Sequence, residues 1–458
     1  MFSTTDTIVA IATPPGRGGI GVVRVSGPDA LAVTRSLITH GGPLQPRHAT
    51  FTKVRLNGPV PVASGFSRTS IDAIDQVVAT FFPAPASYTG DDVVELSAHG
   101  SPVVLRAIVS EAIGRGARLA EPGEFTLRAF LNGRIDLMQA EAVNDLIDAA
   151  TPLQARAAFD QLDGTLTRAI AGIDATLFDL IARLEASVDF PDEGYHFVDP
   201  GALAHAIDEL LARTSALLGD ARRGRLIREG LQIAIVGEPN VGKSSVFNAL
   251  VGASRAIVTD VPGTTRDLVT EVVDIEGLRV TLVDTAGLRE TDDPVEMEGV
   301  LRAQQSVAIA DLVLVILDGS RPRQREHELF QTTVNKRLTV INKADLPSVW
   351  IDRDAALVSA TTGDGIDDLR RRIVAALDVD LLRDRPAMTN VRHIALVDRA
   401  HQALTRACAA ALPACGSLSE EFVLADLSEA RAAFEEISGR RAPEDLLEHI
   451  FSRFCIGK

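Results

Sequence analysis

The sequence predicts a multidomain protein of the α/β and α+β classes. A domain with a central, mostly parallel sheet is inserted into a discontinuous α-helical domain, and an α+β domain precedes both. At 458 residues the chain exceeds a single hydrophobic core, so we expect two to four domains. Apolar runs between glycine loops in residues 231–360 are typical of buried parallel strands. Three- and four-residue spacing of apolar residues on either side of that region indicates helices.

The N-terminal domain is assigned to residues 1–121. Residues 7–12, 21–25, 75–81 and 92–96 read as strands, and residues 102–114 as a helix. Gly16, Gly18 and Gly21 have the spacing of a dinucleotide-binding loop. Such a site needs a helix directly afterwards. The segment that follows is short and rich in β-branched residues, which is typical of a strand, so the sequence disfavours a dinucleotide site.

The helical domain is assigned to residues 122–217 and 384–458. Apolar residues recur at helical spacing from Leu162 to Val188, which predicts one long helix of about 40 Å. A second helix is expected at 203–218, and the chain is helical again from residue 390. A terminal bundle of this size is small, so we expect it to pack against the earlier helices. Residues 218–383 would then form the inserted domain.

The inserted domain carries a phosphate-binding P-loop at residues 237–244, GEPNVGKS. A buried strand is predicted before it at 231–236 and a helix after it at 245–250. The glycines let backbone N–H groups turn toward phosphates, and the start of the helix adds partial positive charge. Lys243 supplies a full charge for the β- and γ-phosphates, and the Ser244 hydroxyl can bind Mg²⁺.

Four further segments predict a Ras-like GTPase. Thr265 lies in the loop 263–267 and can close on Mg²⁺ and the γ-phosphate. Asp284 ends a predicted strand at 279–283 and opens the segment DTAG at 284–287, where the Gly287 N–H can sense the γ-phosphate. Strands at 311–317, 338–341 and 355–358 follow. The predicted GTP-binding residues are Gly237, Asn240, Val241, Gly242, Lys243, Ser244, Ser245, Thr259, Asp260, Val261, Pro262, Gly263, Thr264, Thr265, Asp284, Thr285, Ala286, Gly287, Asn342, Lys343, Asp345, Ser359 and Ala360.

The base is selected by the segment NKAD at 342–345. The Asp345 carboxylate can accept hydrogen bonds from N1–H and the 2-amino group of guanine, which adenine does not present. An unpaired buried acceptor costs about 1–3 kcal/mol, so the site is expected to reject ATP. Ser359 and Ala360 complete the predicted base pocket.

The hydrolytic machinery departs from the Ras pattern. Leu288 occupies the position at which Ras-like enzymes place a water-orienting glutamine. Asn240 either holds a monovalent cation together with carbonyls of the 259–264 loop, or merely caps the P-loop. The acidic stretch 290–298 offers carboxylates to orient water, and Glu296 is one of several candidates.

Hydropathy, cysteine content and net charge exclude several classes of protein. The sequence has no apolar run of membrane-spanning length, and its three cysteines form neither a disulfide framework nor a metal-ligand pattern, so a cytoplasmic protein is expected. A net charge of −16 argues against an extended nucleic-acid-binding surface, so any RNA contact must be local or come from a basic partner. The arginines of 222–228 form such a local patch or solvate a helix end.

Longer segments are spread over nearly the full chain: DTIVA at 6–10, ATPPGRGGIG at 12–21, YTGDDV at 88–93, PGEF at 122–125, RAFLNGR at 128–134, FPDE at 190–193 and FSRFCIGK at 451–458. In these segments the chain resembles the bacterial tRNA-modification GTPase family MnmE (TrmE), of the TrmE-Era-like GTPase superfamily. The turn GRRAP at 439–443 departs from the family's acidic, threonine-containing turn.

The resemblance implies a three-part molecule with an N-terminal folate-binding and dimerisation domain. It implies a homodimer that forms a heterotetramer with the FAD-dependent partner MnmG, FAD being bound by the partner only. With GTP as substrate, Mg²⁺ and K⁺, the complex would add an aminomethyl or carboxymethylaminomethyl group to C5 of the wobble uridine of certain tRNAs. The one-carbon donor would be a 5,10-methylene or 5-formyl tetrahydrofolate derivative. GTP hydrolysis would drive G-domain dimerisation and rearrangement.

The resemblance also assigns roles to residues. Arg24, Glu95 and Arg134 match folate-contacting positions, although the family often has lysine at 134. Asn240, Thr259, Val261 and Thr264 match the potassium site, whereas Ser244 and Thr265 match the Mg²⁺ ligands. Glu296 matches the water-orienting carboxylate, and Cys455 matches a terminal cysteine with a proposed catalytic role. Lys243 and Thr265 complete the implied catalytic set.

Two other functions remain open from the sequence. One is an Era-like regulatory GTPase in ribosome assembly, which would need an RNA-binding appendage. The other is a binding scaffold in which folate is structural and GTP regulates shape.

Overall fold

The computed structural model describes residues 5–55, 73–189, 199–238, 240–253, 255–256, 269–284, 309–322, 336–350, 352–377, 386–411 and 420–457. The chain divides into two compact units. The first unit comprises Met1–Asn144 with Glu435–Lys458, and the second comprises Asp145–Phe434. The four domain boundaries given above stay a prediction.

A six-stranded sheet forms the centre of the first unit. Its strands are β1 (Ile8–Ile11), β2 (Gly18–Ser26), β3 (Thr50–Arg55), β4 (Ala73–Phe82), β5 (Val93–Gly100) and β6 (Arg118–Leu119). Their order is β3-β4-β5-β2-β1-β6, and neighbours are antiparallel except β1 and β6. The four predicted strands are confirmed. The glycine loop at 16–21 leads into β2 rather than a helix, which agrees with the rejection of a dinucleotide site.

Helices complete the first unit. They are α1 (Ala30–Leu37), α2 (Pro102–Ile113), α3 (Glu124–Leu131) and α4 (Leu137–Ile147), whose last residues pass into the second unit. Leu37 of α1 and Ile108 of α2 pack into one buried cluster with Val25 and Leu96 of the sheet. α1 and α2 therefore cover one face of the sheet.

A charged network connects the chain near β1 to α3. Arg128 is only 1% exposed, and its Nη2 atom contacts Asp6 Oδ1 at 2.6 Å and Glu124 Oε1 at 2.9 Å. Arg118 also contacts Asp6 and Glu124, both at 2.6 Å. Burial alone would raise the pKa values of Asp6 and Glu124, but hydrogen bonds and charge from the two arginines lower both below their ordinary values. The network stabilises the fold only while both carboxylates are ionised.

The second unit begins with helices α5 (Pro152–Leu162), α6 (Thr165–Asp189), α7 (Pro200–Gly219) and α8 (Ala221–Glu229). The prediction that the long helix includes Leu162 was wrong, because Leu162 ends α5. Gly164 then adopts a φ of +83°, a conformation that interrupts an α-helix, and α6 starts at Thr165. The apolar stripe beyond this break is buried as expected.

A seven-stranded sheet follows, with β7 (Leu231–Val236), β8 (Arg255–Ala256), β9 (Val269–Ile275), β10 (Leu278–Asp284), β11 (Leu312–Asp318), β12 (Arg337–Asn342) and β13 (Ala356–Leu357). The order is β13-β12-β11-β7-β10-β9-β8, parallel throughout except at β9 and β8. Helices α9 (Lys243–Ala253) and α10 (Ile366–Ala376) pack with it. This is the predicted Ras-like, mostly parallel sheet.

The last helices are α11 (Val391–Ala411), α12 (Glu420–Ser438) and α13 (Glu444–Phe451). In the second unit, the Thr214 hydroxyl of α7 lies 2.7 Å from His401 Nδ1 of α11. Asp174 of α6 pairs with Arg431 of α12 at 3.1 Å. The expected packing of C-terminal helices against earlier ones is confirmed.

The chain segments that lead into and out of the inserted α/β region lie next to each other. A Cβ atom at Gly224 of α8 would overlap the carbonyl oxygen of Met388, so the entering and leaving segments run in contact. Gln161 of α5 donates to the Thr389 hydroxyl at 2.5 Å. This closeness is what an inserted domain requires. Among the described helices, none is both long and apolar enough to cross a membrane.

Candidate nucleotide-binding site

The P-loop lies at the carboxyl end of β7, where the chain turns into α9. Gly237 has a φ of +152° and Gly242 a φ of +95°. A Cβ atom at Gly237 would overlap the carbonyl oxygen of Ile316, and one at Gly242 would overlap the side-chain nitrogen of Asn342. Both positions therefore need glycine. Without side chains at these positions, the loop packs closely against its neighbours and its backbone can surround phosphates.

Lys243 begins α9 with its side chain folded over the P-loop. Its Nζ atom donates to the carbonyl oxygen of Glu238 at 2.9 Å. Burial lowers the pKa of the Lys243 ammonium, and the charge of Asp284 at the end of β10 opposes that shift. Ser244 and Ser245 lie exposed in the first turn of α9, so their hydroxyls are open to a ligand.

Asn342 joins the P-loop to the predicted base pocket. Its side-chain nitrogen donates to the carbonyl oxygen of Val241 at 2.9 Å. Its side-chain oxygen accepts from the backbone N–H of Ala360 at 3.1 Å. Asn342 is 3% exposed, and both ends of its amide are used. It therefore sets the distance between the phosphate loop and the base loop.

Lys343 makes a second link through a residue that the sequence reasoning missed. Its ammonium pairs with Asp318 at 2.6 Å and donates to the carbonyl oxygen of Asn240 at 3.1 Å. Burial would raise the pKa of Asp318, but bonds from Lys343 and Ser320 lower it below the ordinary value. Asp318 ends a buried strand at the same sheet edge as Asp284, a placement that was readable from the sequence.

The base pocket is built around Asp345. The Ser359 hydroxyl, which is completely buried, donates to Asp345 Oδ1 at 2.6 Å. Ser359 Oγ also accepts from the Thr362 N–H at 3.2 Å, which fixes its rotamer. Ser359 therefore orients the exposed Asp345 carboxylate, and Oδ2 stays available for donors of a purine base.

Part of the predicted GTP site lies outside the described residues. This applies to Thr259, Asp260, Val261, Pro262, Gly263, Thr264, Thr265, Thr285, Ala286, Gly287 and Glu296. Their roles stay predictions. In the described part, the structure brings together the P-loop, Asn342, Lys343, Asp345, Ser359 and Ala360. No cluster of three or more potential metal-ligating side chains was found among the described residues.

A separate group in the first unit contains two of the predicted folate residues. Arg24 of β2 pairs with Glu95 of β5 at 2.8 Å, across a register in which the two residues are direct neighbours. The Arg24 guanidinium carbon lies 5.2 Å from the Tyr88 ring centroid and 5.6 Å from that of Phe125. Arg24 is thus held by one carboxylate and two aromatic rings.

Arg134, the third predicted folate residue, lies in the turn after α3, next to the loop that carries Tyr88. A Cβ atom at Gly90 would come within 3.3 Å of Arg134 Cγ, and Asn132 donates to the Thr89 carbonyl oxygen at 2.8 Å. Arg134 is exposed. The turn after α3 and the loop at 87–91 therefore present this cation to solvent.

The C-terminal segment also reaches this group. Arg24 Nη1 donates to the Gly457 carbonyl oxygen at 3.2 Å, and the Gly123 N–H donates to the Cys455 carbonyl oxygen at 3.4 Å. Cys455 is a free, exposed cysteine. The structure thus places its backbone close to the Arg24 group without assigning a role to its thiol.

The chain is similar to known proteins along its whole length. Residues 7–134 match the family model "GTP-binding protein TrmE N-terminus", and residues 137–455 match "MnmE helical domain". Proteins named tRNA modification GTPase MnmE from Koribacter versatilis and Azoarcus sp. are 43% and 42% identical, each over 99% of this chain and 99% and 98% of the relative. The protein of that name from Neisseria meningitidis is 40% identical over the full length of both chains.

Two solved structures are similar to part of the chain. The G domain of the T. maritima FeoB iron transporter is 28% identical, covering 32% of this chain and 98% of that chain, with a TM-score of 0.26. Aquifex aeolicus Era bound to GDP and AlF4⁻ is 25% identical, covering 38% and 66%, with a TM-score of 0.26.

Proposed function

This chain belongs to the MnmE family of tRNA modification GTPases, and we propose that its GTP hydrolysis is potassium-dependent and serves wobble-uridine chemistry. With the FAD-dependent partner MnmG, it would add an aminomethyl or carboxymethylaminomethyl group to C5 of the wobble uridine of tRNA. The donor would be a tetrahydrofolate derivative. The homodimer, the heterotetramer with MnmG and the cytoplasmic location belong to the same proposal.

The linked base pocket is the observation that carries the GTPase part. Asn342 joins Val241 of the P-loop to Ala360, while Ser359 orients Asp345. A base held by Asp345 is therefore at a fixed distance from phosphates held by the P-loop. The exposed Ser244 hydroxyl at the start of α9 and the Asp284 carboxylate at the end of β10 suit Mg²⁺, which prefers oxygen ligands.

Potassium dependence is supported by the chemistry around Asn240. Leu288 cannot orient water, and Asn240 offers a side-chain oxygen at the phosphate loop. Asn240, Thr259, Val261 and Thr264 would hold K⁺, which would supply positive charge beside the phosphates. Thr265 would complete the Mg²⁺ shell, and Glu296 would orient the attacking water.

The cation proposal is tested by GTP hydrolysis in potassium and sodium buffers of equal ionic strength. Asn240 has a φ of +67°, a backbone conformation that glycine adopts readily. Asn240→Gly therefore deletes the side-chain oxygen without straining the loop. We expect faster turnover in potassium for the unmodified chain and loss of that difference in the variant, with GTP affinity retained. Equal rates of the unmodified chain in both buffers would contradict the proposal.

Folate binding is supported by the Arg24 group. A cation such as Arg134 suits the glutamate carboxylates of folate, and Glu95 suits hydrogen-bond donors of a pterin ring. Calorimetry with 5-formyltetrahydrofolate and the full chain tests this. Arg134→Ala should weaken binding, whereas Arg106→Ala, an exposed arginine of α2, should not. If Arg134→Ala binds 5-formyltetrahydrofolate as tightly as the unmodified chain, Arg134 is not part of the folate site.

The partner and the C-terminal thiol need separate tests. Mixing the chain with MnmG should give one species that carries FAD absorbance in size-exclusion chromatography. Cys455→Ser should abolish wobble-uridine modification if the thiol is catalytic, because serine keeps the size but is a far weaker nucleophile. GTP turnover without folate binding and without altered tRNA would instead favour the ribosome-assembly function.

A further inference from the structure

The segment around β3, the outermost strand in the sheet of the first unit, is positively charged in a chain whose net charge is negative. Residues 30–55 contain four lysine and arginine residues and no aspartate or glutamate, although the net charge of the chain is −16. The four cations are Arg35 of α1, Arg47, Lys53 and Arg55. We call Phe51 together with Arg47, Lys53 and Arg55 the β3 patch.

The side chains on β3 alternate between core and solvent. Thr52 and Val54 are buried, whereas Phe51 is 66% exposed and Lys53 is exposed. Phe51 and Lys53 therefore point to the same outer face, and the half-buried Arg55 follows them after a shift in the strand register. An exposed phenylalanine between cations on an outermost strand is not explained by the core that the strand covers.

Side-chain hydrogen bonds hold two cations of the β3 patch, Arg47 and Arg55. Arg47 lies just before β3, where its backbone N–H donates to Phe81 and its Nη2 atom donates to Ala86 at 2.9 Å. At the other end of the strand, Arg55 Nη2 donates to the Thr39 carbonyl oxygen at 3.4 Å. These bonds go to backbone oxygens, so they orient the guanidinium groups without neutralising them.

Among the described residues, no carboxylate forms an ion pair with Arg47, Lys53 or Arg55 of the β3 patch, or with Arg35. The cross-strand neighbours of Phe51 and Lys53 on β4 are Val78 and Gln76. Asp75, which opposes Val54, is engaged by His99 at 2.7 Å.

By contrast, the described arginines of the 223–228 segment are neutralised locally. Arg225 pairs with Glu229 at 2.8 Å, Arg228 with Asp145 at 2.8 Å, and Arg223 with Asp220. This pairing also argues against the 222–228 cluster as an RNA patch. The β3 patch therefore has the local positive charge that a polyanion needs, in a chain whose overall charge repels it.

We propose that the β3 patch binds the single-stranded anticodon loop of the tRNA substrate. Phe51 stacks on one unpaired base, and Arg47, Lys53 and Arg55 contact the neighbouring phosphates. An exposed aromatic ring flanked by cations is the arrangement by which proteins hold single-stranded nucleic acid. Six residues of β3 span about 20 Å, enough to follow several nucleotides. This inference rests on the proposed function in tRNA modification.

The test measures binding of a fluorescein-labelled anticodon stem-loop, with an unmodified wobble uridine, to the full chain by fluorescence anisotropy. Phe51→Ala should weaken binding between about fivefold and about a hundredfold, and Phe51→Trp should restore it. Phe422→Ala, which removes a 70% exposed phenylalanine of α12, is the matched control and should bind like the unmodified chain.

The charge component is measured from the salt dependence between about 50 and about 200 mM potassium salt. Lys53→Ala should reduce the slope of log affinity against log salt by about 0.7, the value for one phosphate contact on a single strand. Arg225→Ala, whose guanidinium is paired with Glu229, should leave the slope unaltered. A blunt RNA duplex should bind Phe51→Ala and the unmodified chain equally, because it offers no unpaired base.

Two results would overturn the inference. One is unaltered stem-loop affinity of Phe51→Ala and Lys53→Ala while the unmodified chain binds tRNA. The other is dissociation of a homodimer by the same substitutions in sedimentation, which would make the patch an interface between copies. An unmodified chain that hydrolyses GTP but binds no tRNA would overturn the proposed function as well.

Discussion

Asp345→Asn gives the sharpest test of the base pocket. Asparagine has the shape of aspartate, so the Ser359 hydroxyl, 2.6 Å from Oδ1, keeps an oxygen acceptor. The amide nitrogen then takes the position of Oδ2 and faces the base. Guanine presents N1–H and a 2-amino group there, so two hydrogen bonds to a carboxylate are replaced by opposed donors.

The expected loss follows from the energy of hydrogen bonds to charged groups. Each such bond contributes about 1.5–3 kcal/mol, so losing two costs at least about 3 kcal/mol. That figure is roughly a 150-fold weaker affinity. Xanthine has an oxygen in place of the 2-amino group, so it accepts from the new amide. The variant should therefore prefer XTP to GTP.

Calorimetry with GTP, XTP and ATP measures these affinities directly. Asp364→Asn is a matched control, because Asp364 is likewise exposed and accepts from a hydroxyl, that of Thr362 at 2.8 Å, but belongs to no predicted GTP-binding segment. The reasoning is refuted if Asp345→Asn binds GTP as the unmodified chain does, or if it weakens GTP and XTP equally.

Three further predictions concern the folded state. Gly237→Ala should abolish GTP binding and lower the melting temperature, because its Cβ atom would overlap the Ile316 carbonyl oxygen; binding equal to the unmodified chain would contradict this. Glu124→Gln should cost about 1–3 kcal/mol in the free energy of unfolding measured with urea, because the buried Arg128 loses one of its two partner charges and keeps Asp6; a change below about 0.5 kcal/mol would refute it. The lowered pKa values of Asp6 and Glu124 stabilise the fold at neutral pH, and this contribution should be lost as pH falls from their unfolded values of 3.8 and 4.5 through the lower folded values. In Glu124→Gln the acid-dependent part of the unfolding curve should shrink, and an unaltered curve would count against the network.

The nucleotide site was predictable because its signals are local. The apolar run at 231–236, the glycine spacing and Lys243 all lie within residues 231–243, so the whole motif can be recognised from one short segment. The role of Asn342 was only partly predictable. The sequence placed it in the base pocket, but its bond to Val241 joins residues 101 positions apart.

The missed features depend on long-range pairing. Asp6 and Arg128 are 122 positions apart, and neither residue type signals a buried pair by itself. The break after Leu162 was missed because apolar spacing continues through it, although Gly164 needs a φ that helices exclude. β3 was missed because its alternation of buried and exposed residues covers only a few positions. The exposure of its outer face also depends on its position at the edge of the sheet, which the sequence does not give.

Nucleoside analysis of tRNA tests the central claim that GTP turnover in the inserted domain serves wobble-uridine modification. Cells that lack this gene would be complemented with the unmodified chain, with Lys243→Ala or with Phe422→Ala. The account predicts modified wobble uridines with the unmodified chain and Phe422→Ala, and unmodified ones with Lys243→Ala. Full modification with Lys243→Ala, or no change on deleting the gene, would contradict it.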